Sequence, residues 1–439
     1  MILSGWGRFP RAECRVIDVH DWASALAAIA ANPSLIARGN GRSYGDSSLN
    51  PAATLGMIRD NRLRDFDPVS GMLDCEAGVM LADILETFVP RGWFPPVTPG
   101  TKFVTIGGMI AADVHGKNHH RDGAFGGHVE SLELALAGGK IATCSAKENA
   151  GLFAATRGGM GLTGVILSAR FRLKPIATSA IRQETLICRD LDETMARFED
   201  SKDWSYTVAW IDCLARGGGA GRSLLYRGEH AELADLPPTR RASPLRYETK
   251  RSRRVPADFP AFALNRWSVA AFNEIYYRRA RPGTEIVDFE RFFYPLDSLL
   301  EWNRIYGRKG FVQYQCVLPK NESRLGLAAL LAKISSAGAG SFLSVLKLLG
   351  PSSGPLSFPM EGYTLALDFP ASQANLELLN SLDEVVAAHG GRIYLAKDAR
   401  MAPAMLRRSY PGLGAFEEAR LAADPGRKFA SLQSQRLGL

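Results

Sequence analysis

The 439-residue sequence lacks the long apolar segments and paired cysteines that mark several large protein classes. No window of about 18 residues is uninterruptedly apolar, so the sequence predicts no transmembrane helix. The first ten residues contain no apolar core of the kind found in secretory signals, so we expect no signal peptide. The six cysteines form no CxxC pair, which disfavours a zinc ribbon or a dithiol redox site. Reduced, mostly buried thiols in a cytoplasmic protein are the expectation.

The composition is that of a globular protein with a positive surplus. Hydrophobic residues make up 46% and charged residues 22%, which excludes global disorder. The net charge of +8 favours an acidic partner: nucleic acid, an anionic membrane face or a phosphorylated substrate. Glycine is abundant, with 43 residues, or about a tenth of the chain against a typical value of about 7%.

The hydrophobic pattern predicts a mixed α+β protein rather than a regular βαβ series. Strands are predicted over 34–38, 71–77, 131–137, 165–173, 208–211, 223–226, 311–317, 342–346, 364–369 and 393–397, and helices over 81–88, 322–335 and 371–389. Loops are predicted over 93–100 and 105–113, and a mobile loop over 237–260. The glycine-rich pattern of the first part of the chain ends near residue 176, where we expect a domain boundary.

Three glycine-rich segments lie in the first part of the chain: 38–46 directly after a predicted strand, 99–113, and 158–164. Closely spaced glycines let backbone N–H groups converge on an anion, and a diphosphate suits such a nest. The first segment is not a Rossmann fingerprint, because Tyr44 stands where the third glycine would be, and no Gly-Lys-Ser/Thr follows for a Walker loop. A tight structural turn is the alternative for any one segment, but three together favour a large cofactor with two phosphates.

The densest polar cluster spans residues 115–120 and contains three of the seven histidines. A metal site is the first hypothesis, but only Asp113 and Asp122 lie at ligand spacing, and Gly116 disrupts a helical i,i+4 pair. A hydrogen-bonding edge of an active site is favoured instead, with His115 and Lys117 facing a cofactor or an anionic substrate.

Together, segments 38–46, 96–101 and 114–120 resemble the FAD-dependent oxidases of the vanillyl-alcohol-oxidase superfamily, which share a PCMH-type FAD-binding domain. Within it, the chain is similar to the branch that oxidises a decaprenylphosphoryl ribose. The likeness continues through 208–212, 292–297, 302–308, 313–315, 341–347 and 394–398, and so spans nearly the whole chain.

The resemblance implies a two-part FAD-binding domain at 1–175 and 392–439, with a substrate domain on an antiparallel sheet inserted at 176–391. Covalent members of the superfamily often carry a histidine where Arg42 stands, so FAD is expected to be non-covalent. The cofactor-contacting residues it implies are Arg38, Gly39, Asn40, Gly41, Arg42, Ser43, Tyr44, Gly45, Asp46, Gly100, Thr105, Ile106, Gly107, Gly108, Ala112, His115, Ile166 and Tyr394.

The implied reaction is oxidation of the 2′-hydroxyl of a polyprenyl-phosphoryl pentose to a ketone, the first half of an epimerisation in cell-wall precursor synthesis. The residues implied at the reacting centre are His115, Lys117, Gln315, Lys347 and Lys397. Lys397 is preferred as the proton-accepting or polarising group and His115 as the orienting group. Lys117 and Lys347 are candidates for holding the phosphate. Without the resemblance, Lys347 and Lys397 would be taken as solvated surface charges.

One position departs from the family. The actinobacterial enzyme carries a cysteine, the target of covalent nitroaromatic inhibitors, where this chain has Ala366. Sensitivity to such inhibitors is therefore in doubt, whereas hydride transfer needs no thiol.

The surplus charge is concentrated between residues 240 and 254, where seven basic residues stand against Glu248, with Phe259, Phe262, Trp267 and Phe272 following. Basic residues beside aromatics suit an anionic membrane face, with a solvated loop as the alternative and nucleic acid disfavoured for lack of a reader motif. Expected partners are a lipid-phosphate-linked sugar and a separate NAD(P)H-dependent reductase. The expected location is cytoplasmic, with peripheral contact at the inner membrane and the periplasmic side left open. The rival functions are an FAD oxidase of a soluble sugar, alditol or other alcohol, and a non-catalytic basic binding protein.

Overall fold

Two antiparallel sheets dominate the computed structural model, which describes residues 1–248, 252–260, 264–351 and 354–439. The strands are β1 Ile2–Ser4, β2 Arg11–Glu13, β3 Val16–Asp18, β4 Ile36–Arg38, β5 Thr54–Gly56, β6 Leu63–Asp67, β7 Met72–Glu76, β8 Trp93–Phe94, β9 Val129–Ala135, β10 Ile141–Ser145, β11 Val165–Arg172, β12 Lys174–Pro175, β13 Ala180–Cys188, β14 Tyr206–Ile211, β15 Ser223–His230, β16 Arg253–Arg254, β17 Gly283–Asp288, β18 Leu299–Leu300, β19 Phe311–Pro319, β20 Ser344–Leu349, β21 Gly362–Pro370 and β22 Arg392–Ile393. The helices are α1 Trp22–Ala31, α2 Leu81–Phe88, α3 Ile106–Ala111, α4 His119–Asp122, α5 Ala150–Thr156, α6 Leu191–Glu199, α7 Pro238–Arg241, α8 Arg266–Arg279, α9 Phe289–Phe293, α10 Ser323–Ala337, α11 Gln373–Ala388, α12 Pro403–Ser409, α13 Leu413–Ala423 and α14 Leu432–Leu437.

The strands of the described residues form a three-stranded parallel sheet, two larger antiparallel sheets and three two-stranded sheets. The parallel sheet has the order β3-β5-β4, and the first antiparallel sheet has the order β10-β9-β11-β7-β6. The second antiparallel sheet has the order β17-β13-β15-β14-β20-β21-β19-β22. Helices α10 and α11 pack on β19 of this large sheet. The mixed α+β class predicted from the sequence is confirmed.

The central strand β19 shows why this sheet is stable. Eight of its nine residues are buried, because α10 and α11 cover one face and the other face looks toward the N-terminal part of the chain. Helix α11 begins where the Ser372 hydroxyl accepts a hydrogen bond from the Asn375 amide, and it ends before Gly390, whose φ is +67°. All six cysteines are buried, as the sequence predicted.

The structure corrects three local predictions. Segment 105–113 contains helix α3 rather than a loop, because the Thr105 hydroxyl caps its first turn. The predicted strand at 393–397 ends at Ile393, and the next residues form a turn in which the Lys397 amide donates to the Tyr394 carbonyl. Within 237–260, α7 and β16 form short regular elements, while residues 249–251 and Phe262 lie outside the described residues.

The C-terminal segment returns to the N-terminal sheet. Leu35 forms a parallel bridge with Phe429, and the guanidinium of Arg436 on α14 bonds both Asp46 and Asp398, at 2.8 Å and 2.9 Å. These contacts agree with a domain built from both ends of the chain. The boundaries near residues 175 and 391 stay predictions.

Candidate active site

A cavity of about 580 Å³ lies between the N-terminal elements and the large sheet. One wall is the loop after β4, the start of α3 and residues 112–117. The opposite wall consists of side chains from β14, β19, β20 and β21, and the turn after β22 closes the end. Its size suits a ligand larger than a simple metabolite.

The loop after β4 has the features of an anion cradle. In the described chain, no backbone amide of residues 39–43 donates a hydrogen bond to protein. Gly41 has a φ of +64°, a left-handed conformation that favours glycine. A Cβ on Gly39 would lie 3.1 Å from the Thr105 methyl group and closer still to its hydroxyl, so a side chain there is excluded. The loop therefore presents unpaired N–H groups to the cavity. Because Gly39 and Gly41 have no side chains, a ligand has room beside these groups.

The predicted cofactor residues divide into a lining set and a supporting set. The cavity is lined by Gly39, Asn40, Gly41, Arg42, Ser43, Tyr44, Gly100, Thr105, Gly107, Gly108, Ala112, His115, Ile166 and Tyr394. The supporting set lies behind this wall: the guanidinium of Arg38 donates to the Ser4 carbonyl, Gly45 packs against Asp398, Asp46 pairs with Arg436, and Ile106 is fully buried.

Two further contacts shape the cofactor wall. The Arg42 guanidinium lies over the Trp6 ring, 4.0 Å from its centroid, so this position presents a cation and no nucleophile. The Tyr394 hydroxyl donates to the Ala112 carbonyl at 2.8 Å, and its ring stacks on Phe358. The unpaired loop amides, the glycine cradle and these flat side chains fit a dinucleotide with a diphosphate and a planar ring system.

All five residues predicted for the reacting centre line this cavity: His115, Lys117, Gln315, Lys347 and Lys397. They come from three separate parts of the chain, the 114–117 segment, the large sheet and the turn after β22. The structure thus brings together residues up to about 280 positions apart in sequence.

His115 is held as a neutral imidazole. The amide nitrogen of Gln315 lies 2.9 Å from Nε2 of His115 and 3.1 Å from the Thr364 hydroxyl, so both its hydrogens have an acceptor. In this assignment Nε2 accepts and the proton sits on Nδ1, which is buried and meets no partner among the described residues. Burial, followed by repulsion from Lys347, holds the pKa of His115 well below its usual range.

The three lysines, here called the cavity lysines, are Lys117, Lys347 and Lys397. Each is partly exposed where it lines the cavity but is otherwise surrounded by protein. Desolvation lowers the pKa of Lys117 and of Lys397 to about 7 and that of Lys347 to about 8, and repulsion from Lys347 contributes to the first two. With pKa values of about 7 to 8, the three amines are only partly protonated near neutral pH. Such a cluster is typical of sites of proton transfer and anion binding.

The surroundings of these amines differ. Lys117 Nζ donates to the Phe292 carbonyl and lies over the Phe292 ring, 4.1 Å from its centroid. Lys397 Nζ lies over the Tyr44 ring, 3.7 Å from its centroid, and hydrogen-bonds to no protein atom in the described ranges. Lys397 is therefore free to hydrogen-bond with a ligand.

Sequence reasoning missed two residues at this site, Gln313 and Asp368. Gln313 lines the cavity and lies two residues before Gln315, so strand alternation alone places both on one face. Gln313 donates to the Asp368 carboxylate at 2.6 Å across the β19–β21 pair. Strand alternation could have predicted that Gln313 lies on the same face as Gln315. Nothing in the sequence indicated that Asp368 would be its hydrogen-bond partner.

Comparison with known proteins identifies the family. A protein-family model described as an FAD binding domain matches residues 10–145 of the sequence. The decaprenylphosphoryl-β-D-ribose oxidase of Mycolicibacterium smegmatis is 37% identical over 450 aligned positions, which cover 100% of this chain and 97% of that enzyme. An uncharacterised protein of Streptomyces coelicolor is 36% identical over 375 positions, covering 82% of this chain and 100% of that protein. An uncharacterised oxidoreductase of Rhodococcoides fascians is 36% identical over 158 positions, 36% of this chain and 35% of that protein. With the cradle and the cavity, these findings establish that the chain is an FAD-dependent oxidoreductase belonging to the decaprenylphosphoryl-β-D-ribose oxidase family.

Proposed function

We propose that the protein oxidises the 2′-hydroxyl of a polyprenyl-phosphoryl pentose to a ketone, with FAD as the hydride acceptor. The observation that carries the proposal is the placement of three lysines and His115 in the same cavity as the unpaired amides of the glycine loop. The identity with a named ribose oxidase over the whole chain supports the same substrate class.

FAD would be held by the amides of residues 39–43, by Thr105 and the glycines that follow it, and by Tyr394. When bound, FAD supplies a two-electron acceptor for the hydride of an alcohol carbon. Arg42 lies over the Trp6 ring, and a guanidinium forms no covalent bond to a flavin ring. This residue therefore supports non-covalent attachment of FAD.

Lys397 is the proposed acceptor for the proton of the substrate hydroxyl. Desolvation brings the pKa of Lys397 to about 7. At that pH the Lys397 amine is neutral in about half of the molecules and is then able to take a proton. His115, fixed by Gln315, is suited to orient the substrate through hydrogen bonding rather than to carry charge. Both roles are those predicted from the sequence, and they stay predictions.

Lys117 and Lys347 are proposed to bind the substrate phosphate. No carboxylate among the described residues forms an ion pair with either amine. An anion in the cavity would therefore be the first counter-charge these amines meet, and it would raise the pKa of both toward the ordinary lysine value. Binding of a phosphodiester thus becomes coupled to proton uptake by the lysines.

Peripheral contact with a membrane is part of the proposal. In the described ranges, no helix is long and apolar enough to span a bilayer. Helix α8 exposes Trp267, Phe272 and Ile275, at 73%, 43% and 52%, and its final turn carries Arg278 and Arg279. Tyr276 of the same helix lines the cavity, so an apolar and basic surface lies beside the cavity in which a lipid-linked sugar would bind. A role in cell-wall precursor synthesis, with a separate NAD(P)H-dependent reductase reducing the ketone, follows from the same proposal.

The test is an anaerobic absorbance titration of the purified holoprotein with polyprenyl-phosphoryl-β-D-ribose. Loss of the oxidised flavin band would support the sugar-lipid oxidase. Ribose 5-phosphate and a free alditol, added in parallel, separate the lipid-linked substrate from a soluble one. A yellow protein that is reduced only by the soluble alcohol, or by none of the three, would overturn the substrate while leaving the cofactor assignment intact.

A further inference from the structure

Directly opposed residues on four neighbouring strands form a row on the cavity face of the large sheet. Gln315 of β19 pairs with Ala366 of β21, which pairs in turn with Val345 of β20. Val345 pairs with Trp210 of β14, and all four residues line the active-site cavity. The side chains therefore change from the amide that holds His115 to a methyl, an isopropyl and an indole group, over about 14 Å at the usual strand spacing.

This row gives the sheet a polar end and an apolar end. Lys347, a proposed phosphate ligand, lies two residues after Val345 on the same face of β20 and also lines the cavity. In a polyprenyl-phosphoryl pentose the phosphate joins the sugar to the lipid chain. A sugar beside Gln315 and a phosphate at Lys347 therefore direct the chain away from the reacting centre, toward Val345 and Trp210.

The cavity lining beyond β14 shows where an apolar chain can continue. Along the sheet it meets Gln183 of β13 and then Arg291 of α9, which are polar. Toward α8 it meets Tyr276, whose ring lies edge-on to the Trp210 indole with centroids 4.9 Å apart. Phe272 stacks on Tyr276 with centroids 5.7 Å apart. The apolar direction thus leads from the sheet to α8.

Trp210, Tyr276 and Phe272, here called the aromatic path, connect the cavity with the protein surface. Their side chains belong to residues that are 8%, 38% and 43% exposed, in that order. Since each ring contacts the next, an extended apolar chain could follow them outward without crossing a charged side chain. The path ends on the same exposed face of α8 that carries Ile275.

The aromatic path is held in place by hydrogen bonds on the side away from the cavity. The Trp210 indole N–H donates to the Phe342 carbonyl at 3.1 Å. The Asn273 amide of α8 donates to the buried Asp212 carboxylate at 2.8 Å, and the Tyr277 hydroxyl donates to a backbone carbonyl at 3.1 Å. A ligand therefore meets rings that are already ordered, which lowers the entropy cost of binding.

We propose that the aromatic path binds the first isoprene units of the polyprenyl chain and sets the preference of the enzyme for lipid-linked sugars. This inference rests on the proposed function, because it assigns a binding site to one part of the proposed substrate. The path acts on binding of the chain and not on the chemistry, since none of its three residues belongs to the reacting centre.

The first test follows flavin reduction in the holoprotein, without vesicles, by farnesyl-phosphoryl-β-D-ribose and by methyl-phosphoryl-β-D-ribose. In the wild type the KM for the farnesyl compound should be lower by about tenfold or more, because only the farnesyl chain buries apolar surface on the path. Tyr276→Ser and Phe272→Ser should each raise that KM by about fivefold to tenfold. The kcat with the farnesyl compound and the KM for the methyl compound should not change.

Two control variants separate the path from other effects of α8. Tyr276→Phe keeps the ring and loses only the hydroxyl, which lies 3.1 Å from the Tyr226 hydroxyl, so its KM should equal that of the wild type. Trp267→Ser removes a 73% exposed ring of the same helix and should also leave the KM unchanged. A Tyr276→Ser variant whose KM rises equally for both compounds, or for neither, overturns the proposal.

The second test locates the chain without relying on catalysis. A farnesyl phosphate analogue that carries a diazirine within its chain is bound to the holoprotein and irradiated, and the labelled peptides are identified by mass spectrometry. Labels on the peptides that contain Trp210 or residues 272–276, lost when farnesyl phosphate competes, are the expected result. Labelling only elsewhere overturns the path. If neither sugar reduces the wild-type flavin, the proposed function fails, while the labelling still decides where an isoprenyl chain binds.

Discussion

Gly39 is the position where one added methyl group should do most damage to cofactor binding. A Cβ there would lie 3.1 Å from the Thr105 methyl carbon and 3.2 Å from the Thr105 Cβ, and closer still to the hydroxyl. Thr105 cannot turn away without cost, because its hydroxyl caps α3 by accepting from the Gly108 amide and because its side chain is 3% exposed. Gly39→Ala must therefore displace either the glycine loop or the start of α3, and both line the cofactor wall.

The size of the effect follows from these contacts. Forced overpacking at a fixed site costs about 1–3 kcal/mol. Loss of the Thr105 cap alone would cost about 1 kcal/mol, which falls within that range. If the loop moves to relieve the overlap, the cost appears as weaker binding of FAD, by about 5-fold to 150-fold.

The assay is titration of apoprotein with FAD, followed by quenching of flavin fluorescence, alongside thermal unfolding of the apoprotein. Gly138→Ala is the matched control, because no atom lies within 4 Å of a Cβ at that position and its φ is not left-handed. Adding Thr105→Ala to Gly39→Ala should recover part of the lost affinity, since the clashing hydroxyl and methyl group are removed together. A Gly39→Ala variant that binds FAD as tightly as Gly138→Ala would refute the cradle.

Three further perturbations test other parts of the molecule. Lys397→Met should slow flavin reduction by about 10²-fold to 10⁴-fold, and it should abolish the wild-type rise in rate as pH passes about 7, where the pKa of Lys397 lies; a variant that keeps the wild-type pH profile in stopped-flow reduction would exclude Lys397 as the base. Burial and the neighbouring Glu76 raise the pKa of Asp60, so the folded state holds more protons than the unfolded state and its stability should fall as pH rises from about 4 to above 7. Asp60→Asn, whose amide can donate to Glu76, should therefore unfold at a higher temperature than wild type at pH 8 but not at pH 4, and equal Tm values at pH 8 would contradict this. Trp267→Ser should weaken co-sedimentation with phosphatidylglycerol vesicles by about tenfold, whereas Leu325→Ser, at an exposed apolar position on α10, should leave it unchanged; equal losses would remove α8 from the membrane surface.

The sequence was most informative where a local rule determines the structure. Strand alternation, together with three glycine-rich segments in one region of the chain, predicted a phosphate-binding loop after β4. The same rules failed at α3, because Gly107 and Gly108 have low helix propensity and the capping hydroxyl of Thr105 outweighs it. They also failed after Ile393, where an apolar run predicted a strand.

The reason for that second failure is a tertiary contact. The Ala396 carbonyl accepts from the Tyr44 amide, and the Lys397 amide donates within its own turn, so the segment is bent toward the cofactor loop. Asp368, which pairs with the cavity residue Gln313 across the large sheet, also gave no sequence signal. Pairings of this kind are set by the topology of the large sheet, which a single sequence does not specify.

The paired contacts of Arg436 have a consequence for how the protein acquires its cofactor during folding. One guanidinium holds Asp46, which ends the glycine loop, and Asp398, which directly follows Lys397. These partners are separated by 390 and 38 residues, so the first contact closes a loop that includes nearly the whole chain. Contacts of such high sequence separation form late, because the entropy of loop closure opposes them until the rest of the fold is in place. A nascent or partly folded chain would therefore hold neither the flavin phosphates nor Lys397 in their final positions. We expect such a chain not to catalyse substrate oxidation until folding is complete.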